Sequence, residues 1–116
     1  MIHSRPAAIP ALLLIALSTV VCADASAADE ETLALGKKVF TELAQPSCTI
    51  CHKLKDAGSE GELGPALDEM KPSVSRVRTA VAGGVGAMPA FENLTQEQID
   101  AVAAYVASVT GAAASN

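Results

Sequence analysis

Cys48-Thr49-Ile50-Cys51-His52 is the stretch that decides how this chain folds. Two cysteines three apart, with a histidine directly after the second, form a c-type haem attachment pattern. The geometry supplies the reason. Two thiols at this spacing can add to the two vinyl groups of one haem, giving two thioether bonds through Cys48 and Cys51. His52 follows at once, so its imidazole is placed under the iron as the proximal ligand.

A bare Cys-x-x-Cys also suits a redox dithiol or half of a zinc site, so those readings are weighed beside it. A dithiol of the thioredoxin kind calls for a flanking βαβ pattern, and no strand pattern flanks the pair. A zinc site needs two further Cys or His ligands. The only others are His3 and Cys22, both near the N-terminus. A structural disulfide leaves the adjoining His52 unexplained.

Residues 1–27 have the organisation of a secretory signal peptide. His3 and Arg5 give a weakly positive start, the stretch from Ile9 to Val21 is apolar, and Ala25-Ser26-Ala27 is a small-residue cleavage pattern. Cleavage after Ala23 is the second choice. The apolar run is short for a membrane span, and an uncleaved anchor is the alternative. Lipidation at Cys22 is disfavoured by the bulk of Val21. Export suits the motif, since haem is joined to a reduced cysteine pair outside the cytoplasm. Cys22 leaves with the leader, so no odd thiol remains. The expected location is the periplasm, with residues 28–116 as one cytochrome-sized domain and no membrane span after cleavage.

The chain has 8 Lys and Arg against 13 Asp and Glu, a net charge of −5. Arg5 and Asp24 leave together with the leader, so the balance persists. Such a charge argues against nucleic acid or an anionic membrane surface as partner. Phe40, Phe91 and Tyr105 are the only aromatics, and there is no Trp. A core this thin is marginal alone. A large, mostly apolar cofactor held covalently would supply its centre, which is a second argument for haem.

Three helices are predicted. The first runs from about Glu30 to Ala44, with Asp29 as N-cap and Leu33, Val39, Phe40 and Leu43 on its apolar side. Gly36 lowers helix propensity there and marks a close approach by another helix, unless it is simply a flexible glycine. The middle helix spans about Ser73 to Ala82, with Val74, Val77 and Val81 on one face and Arg76 directed elsewhere. Arg76 and Arg78 are candidates for neutralising a haem propionate or, as ordinary surface residues, for solvation. The last helix opens with a capping box, Thr95 with Gln98, and a hydrophobic staple, Leu94 with Ile99. Its apolar face is Ile99, Val102, Ala103 and Val106, with Tyr105 beside it. Gly111 stops it, and Ala112 to Asn116 reads as a frayed tail. Residues 53–72 read mostly as loop, with Lys53 to Asp56 able to continue a short turn of helix after His52.

Two loop segments have chemistry to offer. A ligating histidine needs its other ring nitrogen held by an acceptor, usually a carbonyl. The carbonyl of Pro65, in Gly64-Pro65-Ala66-Leu67, can do this, although that pair alone equally fits a plain turn. Pro89 forces Met88 out of helical geometry, which suits a loop turning a side chain inward. A thioether is a soft ligand for haem iron. The candidates after the leader are Met70 and Met88, and Met88 is preferred because Met70 reads as core or surface.

Taken together, Gly36-x-x-x-Phe40, Cys48-Thr49-Ile50-Cys51-His52, Gly64-Pro65-x-Leu67, Met88-Pro89 and Tyr105 resemble the small class I bacterial c-type cytochromes over nearly the whole chain after the leader. The segments from Lys55 to Met70 and Gly83 to Met88 are similar to cytochrome subunits of periplasmic sulfite dehydrogenases. The resemblance implies an all-α class I cytochrome c fold, a small helical domain wrapped around one covalent haem c. Its first and last helices should cross near Gly36, the Pro65 carbonyl should accept from His52, and His52 and Met88 should be the axial ligands. The lack of Trp and the short middle section depart from larger members and bear on how the propionates are held. The implied function is single-electron carriage, without catalysis, toward redox proteins with a basic docking face. A bound electron-transfer subunit of a dehydrogenase is the runner-up. A peroxidatic or ligand-binding haem protein would need an open sixth position, and no distal histidine is available for it.

Overall fold

The computed structural model describes residues 24–112. The expected leader lies outside the described residues except for 24–27, and the last four positions of the chain lie outside them too. Helix α1 (Asp24–Lys38) runs straight into a π-helical turn, Val39–Leu43. Two features differ from the sequence expectation. Asp29 is not an N-cap but sits inside α1, because the alanines before it are strong helix formers and the helix continues through them. The last turn is wider than an α-turn, with the Ala44 N–H reaching the Val39 carbonyl at 3.0 Å. The Ser47 hydroxyl lies 3.2 Å from both the Phe40 and the Thr41 carbonyls. It thus satisfies acceptors that the end of the helix leaves free.

After the haem-type motif the chain forms a two-residue antiparallel ladder, β1 (Lys53–Leu54) with β2 (Ser59–Glu60). The helical turn expected over Lys53 to Asp56 is thus displaced, with Lys53 and Leu54 extended and a single 3-10 turn following at Lys55–Ala57. Leu54 is completely buried while Lys53 is exposed, the period of a strand. Gly58, at φ 63°, closes the tight turn between the two. A short helix α2 (Leu67–Met70) follows and is tied back to the ladder by the Lys55 N–H, which donates to the Asp68 carboxylate at 2.8 Å.

Helices α3 (Val74–Gly83) and α4 (Gln96–Val109) begin where capping chemistry places them. Ser73 accepts from the Arg76 N–H at 3.2 Å. Thr95 and Gln98 form the full capping box, at 3.2 and 2.9 Å. Leu94 and Ile99 both join the apolar core, as a staple requires. Ala112 is 2% exposed, so the chain stays packed one residue past Gly111 instead of fraying there.

Helices α1 and α4 cross at Gly36. A β-carbon on Gly36 would collide with the Ala101 carbonyl oxygen and lie 2.5 Å from the Tyr105 Cβ. Only glycine allows this approach. It lets the Phe40 and Tyr105 rings meet edge to face, 6.2 Å between centroids. Phe40, Val39, Leu54, Val102 and Val106 are the largest fully buried side chains, so the core sits between the crossing and the motif segment.

From the crossing, the Tyr105 hydroxyl donates to the Asp56 carboxylate at 2.6 Å. Lys37, on α1, pairs with the same carboxylate at 3.2 Å and donates to the Asp56 carbonyl at 2.9 Å. One aspartate in the β1–β2 turn is thereby tied to both crossing helices. The Tyr105 hydroxyl, and then the Lys37 ammonium, hold the Asp56 carboxyl below its usual range. Burial, with the neighbouring Asp56 carboxylate, raises the Tyr105 phenol well above its own. A depressed carboxylate pKa stabilises the fold above the unfolded value and loses that contribution as pH falls through the folded one. Asp56 is partly exposed, so solvent screens the effect. Tyr105→Phe should cost about 1 kcal/mol, a fall in Tm of about 4–8 °C for a domain of this size. In urea titrations, the advantage of the wild type over Asp56→Asn should be full at neutral pH and shrink below about pH 4. A constant difference down to acid pH would show that the carboxylate charge has no part in it.

Candidate haem site

The motif is folded as a tight turn. Ser47 caps a 3-10 turn, Cys48–Ile50, and the N–H groups of Cys51 and His52 both reach the Cys48 carbonyl, at 3.2 and 3.0 Å. This brings Cys48, Cys51 and His52 to one wall of a cavity of about 830 Å³, within the range that cofactor sites occupy. Phe40 from the π-turn, Val77 and Val81 from α3, and Val102 and Val106 from α4 form its apolar walls.

The His52 ring is fixed from two sides. Its Nδ1 lies 2.8 Å from the Pro65 carbonyl oxygen. A carbonyl can only accept, so Nδ1 carries the proton and Nε2 keeps its lone pair for a metal. Gly64 packs against the same ring, where a β-carbon would stand 2.7 Å from His52 Cε1. The Gly64 N–H also donates to the Cys51 carbonyl at 2.7 Å. The Gly-Pro segment is therefore more than a plain turn.

Met88 also lines the cavity. It sits in a reverse turn closed by reciprocal bonds between Val85 and Met88, 3.0 and 2.9 Å, with Gly84 and Gly86 at φ 74° and 55°. Gly84 cannot carry a side chain, because its β-carbon would meet the Met88 oxygen at 2.8 Å and the Ala90 nitrogen at 2.9 Å. Met70 lines the cavity as well, from the end of α2, beside Lys71 in the left-handed region. Both thioethers are thus present, with Met88 on the more constrained backbone.

The two arginines separate. Arg78 is engaged by Asp100 of α4 at 2.6 Å, and that contact, followed by the Gln96 amide, lowers the Asp100 carboxyl. Arg76, expected to point away from the apolar face, borders the cavity, and among the described residues it is the one fixed charge in the lining. Burial pushes the Cys48 thiol up to about 11. That shift is opposite to the lowered thiol pKa of a redox dithiol. Among the described residues no group of three or more His, Cys, Asp or Glu side chains is placed to hold a metal ion. An apolar chamber with two adjacent thiols, one imidazole lone pair, a thioether and a single cation at its border has the donor set of a haem c pocket.

Three contributors carried no sequence signal. Buried Ser59 reaches the carbonyls of Thr49 and His52. Gly61 presses on the back of the motif, where a β-carbon would lie 2.6 Å from the Thr49 oxygen. Leu63, 82% exposed, stands at the cavity mouth. Their role depends on the β1–β2 turn, which no periodicity announces.

Residues 31–106 match the family model described as cytochrome c oxidase, cbb3-type, subunit III. The chain belongs to this family of c-type cytochromes. It is similar to the c-type cytochrome SorU from Sinorhizobium meliloti, at 55% identity and a TM-score of 0.69, over 71% of this chain and 94% of that one. No curated protein matches. The cytochrome has the class I fold and is an electron-transfer haem protein, with covalently bound haem c as its cofactor, rather than a catalytic enzyme. Gly64→Ala places a methyl against the His52 ring. It should lower the covalent haem content per purified chain and destabilise the fold by about 1–3 kcal/mol. Full haem content with wild-type stability would show that the ring does not depend on this contact.

Proposed function

We propose that this cytochrome carries single electrons in the periplasm on one haem c, bound through Cys48 and Cys51 with His52 and Met88 as axial ligands. The observation that carries the reading is the Pro65 carbonyl on His52 Nδ1, which leaves Nε2 free to ligate beside two thiols in an apolar chamber. The haem supplies a ferric–ferrous couple, and Met/His ligation raises its potential. The protein contributes rigidity. Pro65 and Gly64 fix the imidazole plane, and the Val85–Met88 turn fixes the thioether, so the ligand geometry changes little with oxidation state. Arg76 is the residue positioned to meet a propionate. With both axial positions filled there is no place for a substrate, and His52 is the only histidine among the described residues. Peroxidatic chemistry therefore lacks a distal acid–base group.

Electron exchange is assigned to the cavity mouth, where two large exposed side chains stand, Leu63 at 82% and Val85 at 62% exposed. The chain is acidic overall, −5, which suits a redox protein with a basic docking face. The likeness to cytochrome subunits of periplasmic sulfite dehydrogenases makes such a dehydrogenase the partner to try first, whether it is met transiently or in a stable complex. The exposed Leu63 and Val85 favour the stable complex, since desolvated apolar side chains lower the dissociation rate. Among the described residues no helix is long and apolar enough to cross a membrane. Residues 1–27 are proposed to be removed on export.

The ferric protein should show a low-spin spectrum with the weak sulfur-to-iron band in the far red, lost in Met88→Ala and retained in Met70→Leu. The opposite pattern would make Met70 the ligand. Electron-transfer rates with a dehydrogenase should fall as ionic strength rises, and a rate indifferent to salt would remove the charge-steering part of the reading. In Leu63→Ser the complex should dissociate faster with little change in association.

A further inference from the structure

The segment behind the motif packs on the main chain of His52. Ser59 is 4% exposed and opens β2, which pairs with β1, the strand that continues directly from His52. Its hydroxyl lies within hydrogen-bond reach of two carbonyls of the motif, that of His52 and that of Thr49, the latter at 3.2 Å. A hydroxyl has one proton to donate, and the His52 carbonyl is one of the two acceptors that compete for it. Two residues on, Gly61 is pressed against the same turn, where a β-carbon would lie 2.6 Å from the Thr49 oxygen, 2.7 Å from the Cys51 carbonyl carbon and 2.8 Å from the His52 nitrogen. The turn of this hairpin carries Asp56, held by Tyr105 and Lys37 from the helix crossing. Lys53 and Glu60 close its open side at 3.1 Å.

We propose that Ser59 is a positioning residue for the proximal ligand: its hydroxyl, backed by Gly61, fixes the main chain of His52 from behind while the Pro65 carbonyl fixes the imidazole from the side. The inference rests on His52 being the axial ligand. Two constraints are needed because they act on different freedoms. The Pro65 bond at Nδ1 sets the rotation of the ring about its own axis. It does not set how far the ring stands from the iron, which follows from where the His52 backbone lies. The Ser59 bond holds that backbone, and the buried ladder transmits its position from Asp56 at the far end of the hairpin. A hydroxyl donating to a carbonyl inside the fold also spares that carbonyl an unsatisfied burial.

The test uses the exported holoprotein with haem attached. In Ser59→Ala the hyperfine-shifted ring-proton resonances of the axial histidine and the reduction potential should both move from their wild-type values, and Ser59→Thr, which keeps the hydroxyl, should restore both. Thr95→Ala is the comparison, because it removes the N-cap of α4, outside the hairpin and the cavity lining, and should lower Tm while leaving potential and resonances in place. Should Ser59→Ala fail to accumulate, Gly61→Ala, which pushes β2 off the turn with the hydroxyl intact, should give the same paired shift. A Ser59→Ala or Gly61→Ala protein that loses stability but keeps the wild-type potential and resonances would overturn the proposal and leave His52 ligation standing. A wild-type protein without axial-histidine resonances would overturn both.

Discussion

The approach of two backbones at Gly36 is the constraint on which the rest of this cytochrome depends. A chain with three aromatic side chains and no tryptophan has little with which to build a core. It compensates by letting α1 and α4 touch where no side chain intervenes. That contact puts Phe40 and Tyr105 edge to face, and each ring then serves a different neighbour. Phe40 forms a wall of the haem chamber. Tyr105 projects its hydroxyl to Asp56, the turn of the hairpin that follows His52. The helix crossing and the segment that carries His52 are therefore mechanically connected, through one ring pair and one carboxylate.

Much of this was legible in the sequence, and what was legible shares a physical character. The Cys48–His52 motif, the Thr95–Gln98 box, the Gly36–Phe40 spacing and the Gly64-Pro65 pair are local patterns whose chemistry is set by residue type at fixed spacing. The hidden parts depend on contacts distant in the chain. The β1–β2 ladder is too short for its alternation to register, and it exists because Leu54 is drawn into the core and Gly58 allows the turn. Ser59 looks like any loop serine until the hairpin folds it onto the motif. Asp29 was misplaced for the opposite reason: a good cap residue was outweighed by the helix-forming alanines that precede it. The π-turn at Val39–Leu43 is likewise tertiary in origin, since its widened ending brings Ala44 under cover and frees carbonyls that Ser47 then satisfies.

The charges show how a small acidic domain divides its few cations. Arg78 and Arg76 are two apart on α3, hence on different sides of the helix. Arg78 meets Asp100 across the α3–α4 contact, and its task is helix docking at a solvated surface. Arg76 borders the chamber, among aliphatic walls that would otherwise offer nothing to an anionic group. Lys37 is engaged by Asp56, and Lys53 by Glu60. Periodicity directs Arg76 away from the apolar face, because that face identifies the core side and not the edge of the cavity along which a long side chain can lie.

An electron carrier works best when its ligand sphere barely changes on gaining an electron, and this chain answers that demand with backbone more than with side-chain packing. On the proximal side, a proline carbonyl fixes a ring, a glycine lies flat against it, and a buried serine holds the main chain behind it. On the distal side, a turn closed by two reciprocal bonds presents Met88, with glycines in the left-handed region before it and Pro89 after it. Devices of this kind restrain φ and ψ directly, so they do not need the dense core that 3% aromatic residues cannot supply. The same economy leaves Leu63 and Val85 exposed at the mouth. Leu63 and Val85 lie on the two loops that place Pro65 against His52 and turn Met88 into the chamber, so the surface a partner would meet first is carried by the same rigid backbone.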